Sequence, residues 1–275
     1  MTGDPTELLQ GNDLEGALGA LQEQVKARPE DPKLRVFLFQ LLCVKGDWNR
    51  AITQLKLCAQ MDAKALPMAQ TYREAIICEV FREKVFAGEK DPLVFGQPEE
   101  WIALLMEAQK LLANGKISEA AGLRDRAFEA APAVGGELDG KPFKWIADAD
   151  MRLGPVLEII INGRYFWLPF HAIGSLRVEP PEDLRDAVWT AAHLTLQNGG
   201  EHVVLIPTRY AGTASEGNNA QLMSRATDWV DAGDGAFTGI GQRLIATNDG
   251  DFALMDMRNL QMDANEFGGT AEDGG

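Results

Sequence analysis

Basic charge, cysteine and histidine are all scarce in this chain, and long apolar runs are missing. Its 275 residues hold 26 Lys and Arg against 41 Asp and Glu, a formal net charge of −15. Binding to a phosphate backbone needs a basic surface, so nucleic acid and anionic membranes are poor primary partners. No run of about 18 apolar residues occurs, so nothing reads as a membrane-spanning helix. Three cysteines, Cys43, Cys58 and Cys78, are too few and too oddly spaced for a disulfide framework, and none forms a CxxC pair. They read as buried thiols in a reducing cytosol. Met1–Gln10 has neither a basic nor an apolar signal region, and the expected location is cytoplasmic.

What is present is a mix of 45% apolar and 24% charged residues, enough for a core without staples, in one large or two modest domains. The first half repeats itself. Asn12-Asp13-Leu14-Glu15-Gly16-Ala17, Gly46-Asp47-Trp48-Asn49-Arg50-Ala51 and Gly115-Lys116-Ile117-Ser118-Glu119-Ala120 are each a polar turn, an apolar residue, two polar residues and an alanine. Ala17 and Ala51 are 34 residues apart, and Ala51 and Ala120 are 69 apart, almost two periods. Pro29 and Pro132 each follow their alanine by twelve residues, where a proline ends a helix for lack of an N–H. The pattern implies a tetratricopeptide-like helical array over residues 1–134, a scaffold that holds a peptide or helix on its concave face. Ala63 stands where a proline is expected, and Phe39 where a small residue is expected. Leu66–Phe86 is helical in period, with Tyr72, Ile76, Val80 and Phe81 as inner residues. Asp91-Pro92 and Gln97-Pro98-Glu99-Glu100 then punctuate, the second as a helix start.

The period changes after Gly135-Gly136. Pro155–Ile161 and Arg164–Phe170 flank Asn162-Gly163, the strongest short-range hairpin signal, since both turn residues need positive φ. Further strands are expected at Ser175–Glu179, Ala187–Leu196, Val203–Ile206, Gly241–Thr247 and Phe252–Met257. Residues 135–260 therefore read as a small antiparallel, barrel-like β-rich domain, making the chain α+β. Ala211–Ala220 reads as a mobile loop, and residues 261–275, acidic and glycine-bearing, as a disordered tail.

Chemistry-bearing patterns are thin. Asp148, Asp150 and Glu158 could offer carboxylate oxygens to a divalent cation. Arg152 beside them argues instead for a charge-paired turn. His171, His193 and His202 lack HxH or HxxxH spacing, although His193 and His202 sit on consecutive strands. Ser175 and Ser224 lack the GxSxG elbow. Gly239-Ile240-Gly241 lacks the third glycine of a phosphate cradle, and no Walker motif occurs. Trp48, Trp101, Trp145, Trp167, Trp189 and Trp229 read as core aromatics, some of which could line a partner groove. Neither catalysis nor a cofactor is indicated.

In order along the chain, LRVFLFQLLCVKGDWNRA (34–51), LDGKPFKWIADADMRLGPVLE (138–158), NGRYFWLPF (162–170), PPEDLRDAVW (180–189), LIPTRY (205–210), RATDW (225–229) and GQRLIAT (241–247) resemble the ImpE family, also called TagJ, of type VI secretion accessory proteins. The AGTASEG that follows Tyr210 departs from the family, where a proline is expected, as does the glycine-rich tail. The resemblance implies a non-enzymatic cytoplasmic protein. It would contact the N-terminal helical region of the small contractile-sheath subunit, TssB, and be linked to the sheath-recycling ATPase ClpV. In the repeat register, Val36, Gln40 and Cys43, and Ile102, Leu105 and Gln109, would face such a helix. A charge at Leu105 is then expected to weaken binding and spare folding. The competing readings are a generic repeat adaptor and, from a different class, a metal-dependent enzyme using Asp148, Asp150, Glu158 and His171.

Overall fold

The computed structural model describes residues 3–96 and 99–264. Seven helices come first: α1 (Pro5–Gln10), α2 (Leu14–Ala27), α3 (Pro32–Val44), α4 (Trp48–Met61), α5 (Leu66–Phe86), α6 (Glu100–Ala113) and α7 (Ile117–Ala130). The recurring turn has a local physical cause. Asn12, Gly46 and Gly115 take left-handed φ of 62°, 73° and 73° and end one helix. The next residue caps the following helix: Asp13 accepts from the Gly16 N–H at 2.8 Å, and Asp47 from the Arg50 N–H at 3.3 Å. Lys116 has no such acceptor, so α7 starts without a side-chain cap. Ala17, Ala51 and Ala120 are all buried, where a small side chain lets neighbouring helices approach.

The period is not carried through as an unbroken array. Helices α1 to α5 pack in chain order, but the 21-residue α5 is longer than a repeat helix. It is followed by the two-residue strand β1 (Leu93–Val94), which joins the sheet parallel to β6 (Arg164–Pro169). Only then do α6 and α7 form a hairpin. Helix α5 has the expected bounds but not the expected inner face. Tyr72 and Ile76 are buried, whereas Val80 is 39% exposed and the charged Glu79 and Arg82 are buried instead. Helix α6 starts beside Glu99 as expected; Gln97 and Pro98 lie outside the described residues.

The remaining strands are β2 (Gly136–Leu138), β3 (Lys141–Phe143), β4 (Ile146–Asp148), β5 (Val156–Ile161), β7 (Ile173–Val178), β8 (Trp189–Leu196), β9 (Glu201–Pro207), β10 (Thr227–Gly233), β11 (Ala236–Gly241), β12 (Leu244–Thr247), β13 (Gly250–Ala253) and β14 (Asn259–Met262). The Asn162-Gly163 turn joins β5 and β6 with φ of 50° and 69°. A nine-stranded sheet runs β1-β6-β5-β9-β8-β7-β14-β2-β3. It is open, with β1 and β3 at its ends, and does not close into the expected barrel. Closure is unnecessary, because helices cover one face and β4-β12-β13 help cover the other. Gln261 and Met262, read from sequence as tail, lie in β14 and pair with β7 and β2; residues 265–275 lie outside the described part. The expected loop 211–220 contains two short helices, α8 (Thr213–Glu216) and α9 (Asn219–Leu222), with Thr213 buried.

Two cores sit on opposite faces of the sheet, and strand alternation sorts residues between them. In β5, Val156 and Ile160 join the helix-side core, while Leu157, Ile159 and Ile161 join the other. Glu158, between Val156 and Ile160, is thereby aimed at the helices. Phe39, Tyr72, Trp189 and Trp48 form an aromatic chain on that side, with ring centroids 5.7–6.0 Å apart. Replacing the fully buried Ala51 with Leu overpacks the α3–α4 contact. It is expected to cost about 1–3 kcal/mol, read from urea unfolding.

Candidate interaction cleft

Beneath the helix–sheet junction lies a buried ion network. Glu158 is its centre. Its carboxylate receives Arg82 Nε at 2.6 Å and Nη2 at 2.8 Å, and also Arg243 Nη2 and the Tyr165 hydroxyl. Arg243 also pairs with Asp148 and donates to the Pro207 carbonyl at 2.9 Å. Arg82 reaches Glu79 at 3.4 Å and the Arg209 carbonyl at 2.9 Å, and Trp189 Nε1 donates to Glu79 at 3.1 Å. The Arg209 guanidinium donates to the carbonyls of Val44 and Leu222, at 2.6 and 2.8 Å. Asp150 is held bidentately by Arg152, as the charge-paired reading expected, and accepts from the Gly239 N–H at 2.9 Å.

Burial pushes Glu158 up, but Arg82 and Arg243 overrule it and hold the carboxyl at about 2. For Asp148 burial wins over Arg243, and the neighbouring Asp150 adds to it, raising the carboxyl from 3.8 to about 7. Burial likewise raises Glu79 and lowers Arg209 to about 10. Burial also lifts the Cys43 and Cys78 thiols, the latter to about 12, which suits inert core cysteines.

These contacts decide the sequence candidates. The oxygens of Asp148, Asp150 and Glu158 are engaged by guanidiniums, and His171 faces Glu99 at 2.9 Å, so the metal-enzyme constellation is not assembled. Among the described residues no group of three or more His, Cys, Asp or Glu side chains could hold a metal. His193 pairs with Val203 and His202 with Leu194, so alternation sends the two histidines to opposite faces. Ser224 donates to the Ala187 carbonyl at 2.7 Å. Gly239 is a packing residue: a Cβ there would lie 2.1 Å from the Tyr210 ring.

Of the six groove candidates, Gln40, Cys43, Ile102, Leu105 and Gln109 are buried, and Val36 is half-buried. Cys43, Ile102 and Leu105 sit in the helix-side core, and Gln109 Nε2 donates to the Phe86 carbonyl at 2.8 Å. The chain's own residues thus cover the face that the repeat register assigned to a partner. Leu105 and Gln109 line only a small pocket between α6–α7 and β11. A charge at Leu105, 1% exposed, is a folding defect rather than a selective binding change.

A larger opening lies elsewhere among the described residues, a cleft of about 690 Å³ over the ion network. One wall is the Gly46–Trp48 turn and the α5 end, with Glu83 and Phe86. Opposite are Gly212, Ala214 and Glu216, and the roof is the inner face of the β10–β11 ribbon, with Val230, Thr238 and Ile240. Gly46 allows the first two walls to meet, since a Cβ there would lie 2.9 Å from that of Ala214. Its floor narrows toward Glu79, Arg82 and Arg209. The ribbon is a separate two-stranded sheet whose tip meets α7, where the Ser118 hydroxyl donates to Asp234 and Gly233 lies against Ile117. Of these wall residues, only Trp48 carried a sequence signal for a groove.

A sequence profile of the ImpE protein family matches residues 140–261. The chain is 53% identical over 257 residues to the type VI secretion system accessory component TagJ of Pseudomonas aeruginosa, covering 94% of this chain and 90% of the relative. It belongs to the ImpE family. The crystal structure of protein VPA1032 from Vibrio parahaemolyticus superposes with a TM-score of 0.87 at 26% identity, covering 96% of this chain and 98% of that one. Both likenesses therefore run through the helices as well as the profiled β-rich part. No helix among the described residues of this ImpE chain is long and apolar enough to cross a membrane.

Two outcomes test the network. Glu158→Gln leaves Arg82 and Arg243 without their shared counter-charge. It is expected to lose about 3–5 kcal/mol of stability at neutral pH, measured by denaturant unfolding. The pH dependence has two windows. Glu158, lowered to about 2, contributes stability that is present above its ordinary 4.5 and lost as pH falls toward 2. Asp148, raised to about 7, contributes stability that is present below 3.8 and lost as pH rises through 7. Between pH 4 and 7 the wild type should therefore lose stability relative to Asp148→Asn, and a flat difference refutes the assignment.

Proposed function

We propose that this ImpE-family protein is a non-enzymatic cytoplasmic adaptor of type VI secretion. It holds a segment of the small sheath subunit, TssB, and is linked to the sheath-recycling ATPase ClpV. The observation that carries the reading is the cleft. It is large enough for a peptide segment, walled by aromatic and small residues, and opens between helices and sheet in a chain related throughout to a type VI secretion accessory component. The non-enzymatic part is supported by the carboxylates beneath it, which are committed to arginines. The TssB and ClpV contacts come from the family resemblance.

Calorimetry of the purified protein against a synthetic peptide from the N-terminal region of the cognate TssB tests this directly. Saturable one-to-one binding is expected. Val230→Glu, at a position 47% exposed in the cleft roof, should weaken it at least about tenfold with the unfolding curve unchanged. Failure of both the peptide and full-length TssB to bind removes the sheath contact and favours a generic adaptor with another partner.

A further inference from the structure

Charge accounting around the cleft says more about its occupant. Below it, each of the carboxylates Glu79, Asp148, Asp150 and Glu158 is ion-paired with Arg82, Arg152 or Arg243, and the Arg209 guanidinium is taken up by backbone carbonyls, so the buried layer leaves no guanidinium over for a ligand. Arg152 is the one cation among the cleft-lining residues, and it is spent on Asp150 and stacked 4.9 Å from the Phe86 ring centroid. Two acidic residues on the walls, Glu83 and Glu216, are exposed, and neither has an ion pair among the described residues. Trp48 Nε1 donates to Glu83 Oε1 at 3.1 Å, which orients that carboxylate at the rim and leaves Oε2 open. The same cleft is lined by the apolar surfaces of Trp48, Phe86, Val230 and Ile240.

We infer that the cleft takes a partner segment in which apolar side chains flank a lysine or arginine, the cation being received by Glu83 and Glu216. Apolar anchors cover Val230 and Ile240 under the ribbon, and the cation neutralises the two unmatched carboxylates. An acidic segment meets like charge on both walls and is rejected. This rests on the sheath-adaptor reading for the identity of the partner, and adds the chemistry that selects it.

The double variant Glu83→Gln/Glu216→Gln keeps the Trp48 acceptor and touches nothing in the buried network, so its unfolding curve should match the wild type. Titrations use the TssB N-terminal peptide at low and high salt, and the same peptide with every Lys and Arg replaced by Gln. The inference expects the double variant and the substituted peptide each to bind about tenfold more weakly at low salt, with a flattened salt dependence. Unchanged affinity and salt slope in either arm overturns it. If the wild type does not bind the TssB peptide at all, the sheath reading falls separately, and two amphipathic peptides of identical spacing, Leu/Lys and Leu/Glu, probe the cleft. Saturable binding of the Lys peptide alone, weakened by the double variant, upholds the inference. Equal binding of both peptides, of neither, or binding indifferent to the variant, overturns it.

Discussion

Glu158 is the point on which the two halves of the molecule depend. It is fully buried in the middle of a strand that is buried on both faces, a place where a lone carboxylate would be prohibitively costly. The solution is a second charge from each side: Arg82 from α5, 76 residues earlier, and Arg243 from just before β12, 85 residues later. Arg82 has Glu79 as a second partner at 3.4 Å and Arg243 has Asp148, so Glu158 and its two arginines together pin helix, central sheet and peripheral sheet in one register. Replacing such a network with apolar residues can be energetically neutral, but the pairing restricts how the helix can sit on the sheet with every charge matched. A helix docked on a smooth apolar sheet face could slide or rotate. One bearing Arg82 and Glu79 must set the first against Glu158 and the second against Trp189.

That constraint explains which parts of the fold were legible in sequence. The recurring turn was readable because its cause is local: a left-handed residue, in two of the three turns a capping aspartate, and a buried alanine all lie within six positions of one another. The Asn162-Gly163 hairpin and the bounds of α5 were readable for the same reason. The facing of α5 was not. A search for apolar periodicity places Val80 inside and Glu79 and Arg82 outside, and only partners far along the chain reverse that choice. The same holds for β2, β4 and β14, whose three or four residues carry too little alternation to announce a strand. Their pairings, such as Leu138 with Leu260, are set by closure of the second core. The open sheet follows from the same cause. A sheet covered by helices has no need to close on itself, and an isolated reading of the β half could not include that cover.

The six groove candidates meet a related constraint. A repeat register assumes that the concave face of a helical array is free, and in this chain the sheet fills it. Cys43 and Ile102 point where a peptide would lie in an uncovered array, but the site they mark is occupied by the chain's own core. The opening is displaced to the seam, where Gly46, Gly212 and Ala214 keep side-chain bulk low. The AGTASEG stretch after Tyr210 supplies two of those three residues.

The seam is also where the electrostatics stop cancelling. Every carboxylate of the buried layer has its guanidinium, because burial enforces the match. Nothing enforces it at the rim, where water screens Glu83 and Glu216 and an unpaired carboxylate costs little. Charge left unmatched at an exposed, concave and otherwise apolar edge gains a partner only when something enters the cleft and displaces that water. Desolvation strengthens the pairing as the apolar walls close on the entering segment. The balance inside and the imbalance at the rim are therefore consequences of one rule, applied on either side of the boundary between protein and solvent.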